Sequence, residues 1–449
     1  MKTIFLLKPV LLTVFCLFSF QTLTAQDQWQ RVETENQATE RHENAFVKAG
    51  DKFYLIGGRG LKPVDIYDLS TATWSKGAPT PIEISHFQAV SHNGLIYVMG
   101  GLTGGWPSET PLSNIFIYDP KINKWLIGPE IPPHRQRGAA GVTVYDDKIY
   151  LVAGIVNGHS SGWVSWFDEF DPATNTWREL PDAPHRRDHF MTAVAGDKLV
   201  AAGGRKSGYQ GQGFEATFGE TDIYDFNTGK WSTLPSPEGD IPTQRAGTGA
   251  IAVGDEVIII GGESGNQTVS HNEVEALNPV TGKWRQLPSL QTGRHGTQPV
   301  LSEGRLFIEA GSGNRGGGPE LSNLEMYAIP GLHVEKDEPI VAGTLQLSDE
   351  SHDFGTVRPY ATRTATIELS NIDGNQGIPF TYVILTGSNE MKVDFPFSFP
   401  YVLAPGTSVK FDVHYTPEST EPTEASVLIK VADRGNRQPE EIIFKGNQN

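Results

Sequence analysis

The stretch Ala183–Phe190 reads APHRRDHF, with His185 and His189 four residues apart and an acid at Asp188. On a helix that spacing sets two imidazoles on one face, the arrangement of a metal-dependent hydrolase. This stretch, however, joins a Trp-bearing strand to the next apolar strand, where successive side chains point to different sides. The hydrolase spacing then loses its meaning. His185 is expected to be an exposed loop residue, and Arg187 and His189 are the pair of interest. They belong to a larger set at matching places before apolar strands: Arg41 with His42, His86, Arg135 and Arg137, Arg245, and Arg294 with His295. Arg59, Arg205 and Arg315 fall in loops beside them, and the long loops carry Trp106, Trp163, Tyr209 and Phe214. Guanidinium groups pair two-pronged with carboxylate or sulfate, and aromatic faces cover the apolar face of a sugar ring. Together these residues predict a basic mouth for an acidic glycan.

The elements that must position this set recur along the chain. Apolar strands end in Gly-Gly or Ala-Gly as FYLIGG, IYVMGG, IYLVAG, LVAAGG, VIIIGG and LFIEAG, with the first residue of each pair at Gly57, Gly100, Ala153, Gly203, Gly261 and Ala310. Their intervals run from 43 to 58 residues, bracketing the repeat of about 50 residues known for kelch blades. A second strand follows each pair (VDIYDLS, NIFIYDP, FDEFDP, TDIYDF, EVEALNP, LEMYAIP), and five lead to a Trp-centred strand at Trp74, Trp125, Trp177, Trp231 and Trp284. The sixth lacks its Trp, but DQWQRVE near the start supplies Trp29. An N-terminal strand that completes the last blade would close the ring and remove exposed sheet edges.

On these motifs residues 27–330 resemble the kelch family, the superfamily that includes galactose oxidase. The resemblance implies a six-bladed β-propeller closed by the N-terminal strand, with each Trp packed between blades. It also supplies a second reading of the basic set, because kelch repeats carry Arg and His at this strand entry, where they bond neighbouring backbone. Short hairpins such as AGDK, HNG, DDK and VGDE occupy one face. The opposite face collects the long loops LTGGWPSETPLSN, IVNGHSSGWVSWFDE, RKSGYQGQGFEATFGE and SGNRGGGPELSN.

After a connector at 331–340 the glycine pairs disappear. HDFGTV, ATIELSNIDG, VLAPGTSVKFDVHYTP and ASVLIKVAD alternate apolar and polar residues and break at turns. Residues 341–449 resemble immunoglobulin-like domains of the ASPM/SPD-2/Hydin type, which implies a C-terminal β-sandwich acting as a spacer or contact module.

Bulk properties bound the rest. With 49 glycines, 30 prolines and no long helical periodicity, the 449-residue chain is expected to be all-β with two domains. Its net charge of -17 argues against broad nucleic-acid binding. Residues 1–25 read as a signal peptide, with Lys2 and Lys8 before an apolar run and a cut after Ala25. That run is short for a membrane span of about 20 residues. A secreted, periplasmic or cell-surface protein is expected. The single cysteine, Cys16, lies inside that signal, so a mature chain without thiols points to a bacterial source and excludes the cysteine–tyrosine copper chemistry of galactose oxidase. GSGNRG at Gly311 fits G-x-G-x-x-G but opens no helix, which argues against a dinucleotide site.

The expected function is binding of an acidic carbohydrate or another extracellular partner at the loop-rich face, with no metal and no cofactor. Two further readings use the same face. One is an enzyme on acidic sugars, a polysaccharide lyase or a sugar mutarotase, drawing on Glu215, Glu220, Glu263, Glu273, His189, His295 or Tyr209. The other is protein–protein adhesion.

Overall fold

The computed structural model describes residues 28–172, 175–332, 343–372, 377–396, 401–418, 421–431 and 440–448. The expected signal peptide, and all of the expected linker except residues 331 and 332, lie outside the described residues. The chain is all-β: helix among the described residues is limited to single turns at Pro133–Arg135 and Tyr209–Gly211. None is long and apolar enough to cross a membrane.

Among the described residues, six antiparallel four-stranded sheets occupy Gln30 to Ala328. Their first strands are Asn44–Ala49, Ala89–His92, Gly141–Tyr145, Thr192–Ala195, Gly249–Val253 and Pro299–Ser302, and these define the first to sixth sheets below. Five sheets take all four strands in chain order. The sixth takes its outer strand from Gln30–Arg31, which pairs with Glu325–Ala328 in the register Gln30↔Met326 and Arg31↔Glu325. The first strands touch one another in a closed cycle, sheet to next sheet and sixth back to first.

The apolar patterning explains that cycle. The inner strands are buried along most of their length while the outer ones are largely exposed, and an apolar cluster fills every gap between neighbouring sheets. Ala45, Ile56, Ile96 and Val98 join the first to the second, and Phe53, Trp74, Val300 and Phe307 join the sixth to the first. The repeated Trp also carries a polar tie. The indole N–H of Trp125 donates to Ala78 O, that of Trp231 to Pro181 O, that of Trp284 to Gly239 O and that of Trp29 to Pro288 O. Each acceptor sits where the preceding sheet ends.

The five arginines at the strand entries are fully buried. Arg41, Arg137, Arg187, Arg245 and Arg294 each bond the carbonyl of the first residue of the glycine pair, at Gly57, Ala153, Gly203, Gly261 and Ala310. Each also pairs with an acid on the third strand: Asp65, Asp168, Asp222, Glu275 and Glu325 respectively. This corrects the expectation that these five arginines bind ligand. Their guanidinium groups are fully buried and bond within their own sheets, out of a solute's reach. The second sheet supports the structural role, because Ile84 takes the arginine's place and Phe116 the acid's, both in one apolar cluster. His185 is a loop residue, partly exposed, whose Nδ1 lies 2.9 Å from Asp222 Oδ1.

Two glutamines cross the axis. Gln88 Oε1 accepts from Val142 N and Thr192 N, and its Nε2 donates to Thr192 O. Gln298 exchanges both bonds with the backbone of Ala89. Toward the short hairpins the axis widens to a space of about 340 Å3 walled by all six first strands.

One buried acid has no such partners. Glu309 occupies the position held by Ile56, Met99, Val152, Ala202 and Ile260 in the other sheets, and neither of its carboxylate oxygens has a hydrogen bond. Burial pushes it up to about 7 against the opposing pull of Arg294.

The C-terminal part forms two sheets around one core. A four-stranded sheet runs in the order Leu345–Leu347, Arg363–Asn371, Ser408–Tyr415, Met391–Asp394. A five-stranded sheet runs Ser351–Val357, Glu440–Gln448, Thr423–Val431, Ile378–Thr386, Tyr401–Leu403. Ile367, Leu369, Phe411 and Val413 from the first meet Phe380, Val427, Ile442 and Phe444 from the second.

Two predictions follow from buried charge. Arg245→Met strands Glu275 in the core and should cost about 3–5 kcal/mol, whereas Arg245→Met with Glu275→Leu should recover much of that. Urea denaturation of both variants decides it, and a double variant no more stable than the single would refute the clamp's role. For Glu309 the folded value lies above the unfolded one near 4.5. Its stabilising contribution is therefore complete below that pH and lost as pH rises through about 7. Glu309→Gln should match the wild type at pH 4.5 and exceed it by up to about 3 kcal/mol at pH 8; thermal unfolding across that range reads the difference.

Candidate functional site

Two residues past each clamp position the chain turns through positive φ. This occurs at Glu43, His86, Ala139, His189, Gly247 and Gly296, with φ between 49° and 67°. These residues hand a hydrogen bond from sheet to sheet. His86 N donates to Glu43 O, Ala139 N to His86 O, His189 N to Ala139 O, Gly247 N to His189 O, Gly296 N to Gly247 O, and Asn44 N to Gly296 O. The result is a backbone collar around the axis, enclosing a cavity of about 30 Å3 that the six turn residues line along with Phe87, Phe190 and Met191.

Side chains at this φ cost roughly 1–2 kcal/mol relative to glycine. Two collar positions are glycine and one is alanine. Glu43, His86 and His189 keep large polar groups there, and residues strained in this way cluster at functional sites.

Around them a dense polar layer forms. His86 Nδ1 lies 3.0 Å from Ser85 Oγ. His189 Nδ1 bonds Asp188 Oδ1, and Asp188 also accepts from Ser207 Oγ at 2.6 Å and Ser207 N at 3.0 Å. His295 Nδ1 lies 2.9 Å from Ser270 Oγ, while its Nε2 sits 3.4 Å from Glu263 Oε2 and 3.6 Å from Glu43 Oε1. Arg205 pairs with Glu263 at 2.6 Å and Arg59 with Glu109 at 2.9 Å.

The third sheet adds a residue from above. Its second and third strands, Lys148–Asn157 and Ser161–Asp171, are the longest of the six sheets, and their hairpin reaches over the collar. At its tip His159 points Nε2 to within 3.0 Å of His189 Nε2 and sets Nδ1 3.1 Å from Glu109 Oε2. Burial alone would raise Glu109, but the hydrogen bond and charge of His159, with Arg59, hold it down at about 2. Burial first, and then the positive neighbours, holds His86 and His189 well below the usual imidazole range, so both rings are neutral at pH 7.

Two loops clasp this tip. Pro107 O accepts from His159 N on one side, and Ser207 O accepts from the Trp163 indole at 2.7 Å on the other. Trp106 is 69% exposed and Tyr209 40% exposed, the latter edge-on to Trp163 at 5.6 Å. Phe214 lies beneath Arg205 and Arg315.

Of the residues singled out from sequence, the structure gathers His86, His189 and His295 with Arg59 and Arg205 in the polar layer, and sets Trp106, Trp163 and Tyr209 about the His159 tip. Arg315 is half-buried and donates to Gly265 O. His42 is buried and bonds Glu320 at 2.7 Å, so it faces an acid of its own chain. The five clamp arginines stand apart from this group, and Arg135 pairs with Asp168 at 2.9 Å. Sequence reasoning missed Glu43, Glu109 and His159. Glu43 had a signal, since it takes the same repeat position as His86 and His189. His159 is the one histidine in the four long loops quoted above.

A family model described as the attractin/LZTR1 β-propeller matches residues 14–271. Among curated proteins the chain is similar to the kelch-like protein terF of Aspergillus terreus, 28% identical over 289 residues, covering 60% of this chain and 61% of that protein. It is also similar to kelch-like protein 25 of Xenopus tropicalis, 29% identical over 261 residues, covering 56% of this chain and 41% of that protein. The match thus spans less than two thirds of these relatives' length. They are eukaryotic and lend no support to the bacterial source expected from cysteine usage. A solved structure described as that of YjhT aligns with a TM-score of 0.53 at 17% identity, covering 65% of this chain and 95% of that one, a likeness of fold alone.

The collar makes a test of its own. A Cβ at position 296 would meet Glu43 N at 2.8 Å and would sit at φ 67°, so Gly296→Ala should destabilise by at least about 1–2 kcal/mol. Ala139→Gly, where φ is already 49°, should be neutral or stabilising by up to about 1 kcal/mol. Paired thermal unfolding curves that rank these two the other way would discount the collar.

Proposed function

Because the chain belongs to the attractin/LZTR1 β-propeller family, we propose that its six four-stranded sheets are the six blades of one propeller, spanning residues 27–330, and that it binds a carbohydrate bearing an acidic group at the loop-bearing end. The observation that carries this reading is the pairing of exposed aromatic faces with cations at one end of the axis. Trp106 and Tyr209 flank the His159 tip, and Arg59 and Arg315 stand half-buried nearby. Exposed indole and phenol rings of this kind cover sugar faces, and a guanidinium orients a carboxylate in two-pronged fashion. The reading includes export, supported by the apolar run of residues 1–25. It also includes a C-terminal immunoglobulin-like sandwich of the ASPM/SPD-2/Hydin type at 341–449 that acts as spacer or contact module.

A second reading is favoured by His295, whose Nε2 stands between Glu43 and Glu263. An imidazole between two carboxylates is equipped to move protons, which suits an enzyme on acidic sugars.

The test is a glycan array with the full chain, then titration of the hits. Binding to glycans with uronic or sialic acids is expected, with affinity falling at least tenfold in Trp106→Ala and in Arg315→Ala. Silence on the array would sink the carbohydrate reading and leave a protein partner, sought by pull-down. For bound uronic acids, ultraviolet absorbance of unsaturated products would assign a lyase, and faster anomer exchange by NMR would assign a mutarotase.

A further inference from the structure

We propose that His86, His159 and His189 form a binding site for one divalent first-row transition-metal ion, zinc above all, on the floor of the loop-bearing end. The site differs from the sugar surface above it and does not depend on that reading. The three imidazoles reach it from separate elements: His86 and His189 from collar turns of the second and fourth sheets, His159 from the hairpin tip of the third. Their ring centroids lie 4.8 to 5.0 Å apart, and one ligand atom of each lies within 4.8 Å of the others.

The hydrogen bonds on the far side of each ring decide what the near side offers. Nδ1 of His159 rests on Glu109 Oε2 and Nδ1 of His189 on Asp188 Oδ1, which leaves the Nε2 atoms of the two rings turned toward each other, 3.0 Å apart. A metal ion would take both of these nitrogens together with Nε2 of His86, whose Nδ1 rests on Ser85 Oγ.

Ligating histidines with their other nitrogen on a carboxylate or similar acceptor are the usual support of a metal site. Three imidazoles with one position left open is also the donor set of catalytic zinc sites. Tetrahedral zinc at about 2.0–2.1 Å from nitrogen separates its ligand nitrogens by about 3.3 Å. Metal entry therefore draws His86 inward and parts His159 from His189 slightly. Glu43, 3.5 Å from His86 Nε2, and the carboxylates of Glu109 and Asp188 offset the ion's charge against Arg59, which stands 3.5 Å from His86 Nε2. Imidazole donors suit zinc, copper and nickel better than calcium or magnesium. The His159 side chain, 14% exposed, is the most accessible of the three.

The experiment uses the full chain, stripped with chelator, loaded with zinc or cobalt and dialysed, with no sugar present. Elemental analysis should find one equivalent per chain, and the Co2+ form should show the visible bands of a nitrogen-ligated, low-coordinate ion. Zinc should raise the wild-type unfolding temperature. His159→Ala, a change at a hairpin tip, should lose both the metal and the temperature shift. Glu109→Gln should weaken zinc binding roughly 10–100-fold, and His134→Ala, on an exposed histidine remote from the cluster, should bind as the wild type does. Wild type that retains no zinc, or His159→Ala that retains a full equivalent, would overturn the proposal. A blank glycan array would leave it standing.

Discussion

Five of the six turns at the loop-bearing end follow a buried guanidinium clamp. Each clamp arginine ties the chain entering a sheet to the carbonyl that ends the second strand and to an acid on the third, so three segments meet at one planar group. That junction fixes where the chain turns two residues later, and those turns make the collar. The collar in turn aims His86, His189 and Glu43 at the axis. Burying five charges is expensive, and the second sheet holds the same junction with Ile84 and Phe116 instead. The clamps therefore persist as a means of registering strands, and removing one partner alone is what does the damage.

The repeat made the strands legible because its signals are local. A glycine pair, an aromatic-acid strand and a Trp each announce themselves within a few residues, and the absent sixth Trp pointed to Trp29. The arginines misled for a related reason. Whether Arg187 faces solvent or Asp222 depends on a partner 35 residues away, and nothing local distinguishes a donor aimed at a ligand from one aimed at a carbonyl. Only the pairing register brings the acid to the arginine. His159 escaped notice on similar grounds: its importance comes from the length of a hairpin that carries it over the axis, a distance that local pattern does not convey.

The polar layer departs from the rest of the molecule's economy. The clamp arginines meet their acids within their own sheets. Around the collar the contacts run between sheets: His159 of the third with His189 of the fourth, His295 of the sixth with Glu43 of the first, and Arg205 of the fourth with Glu263 of the fifth. Inter-sheet polar contacts of this density rigidify a site only while every member is satisfied. The positive-φ turns at Glu43, His86 and His189 sit at the centre of this layer.

The two glutamines that span the axis have a consequence for the spaces along it. Gln88 and Gln298 stitch the second, third, fourth and sixth sheets together across the middle, between the small cavity under the collar and the wider space toward the short hairpins. A polar bridge of two amides therefore separates the space beneath the histidines from the wider space toward the short hairpins, so the two spaces are lined by different chemistry.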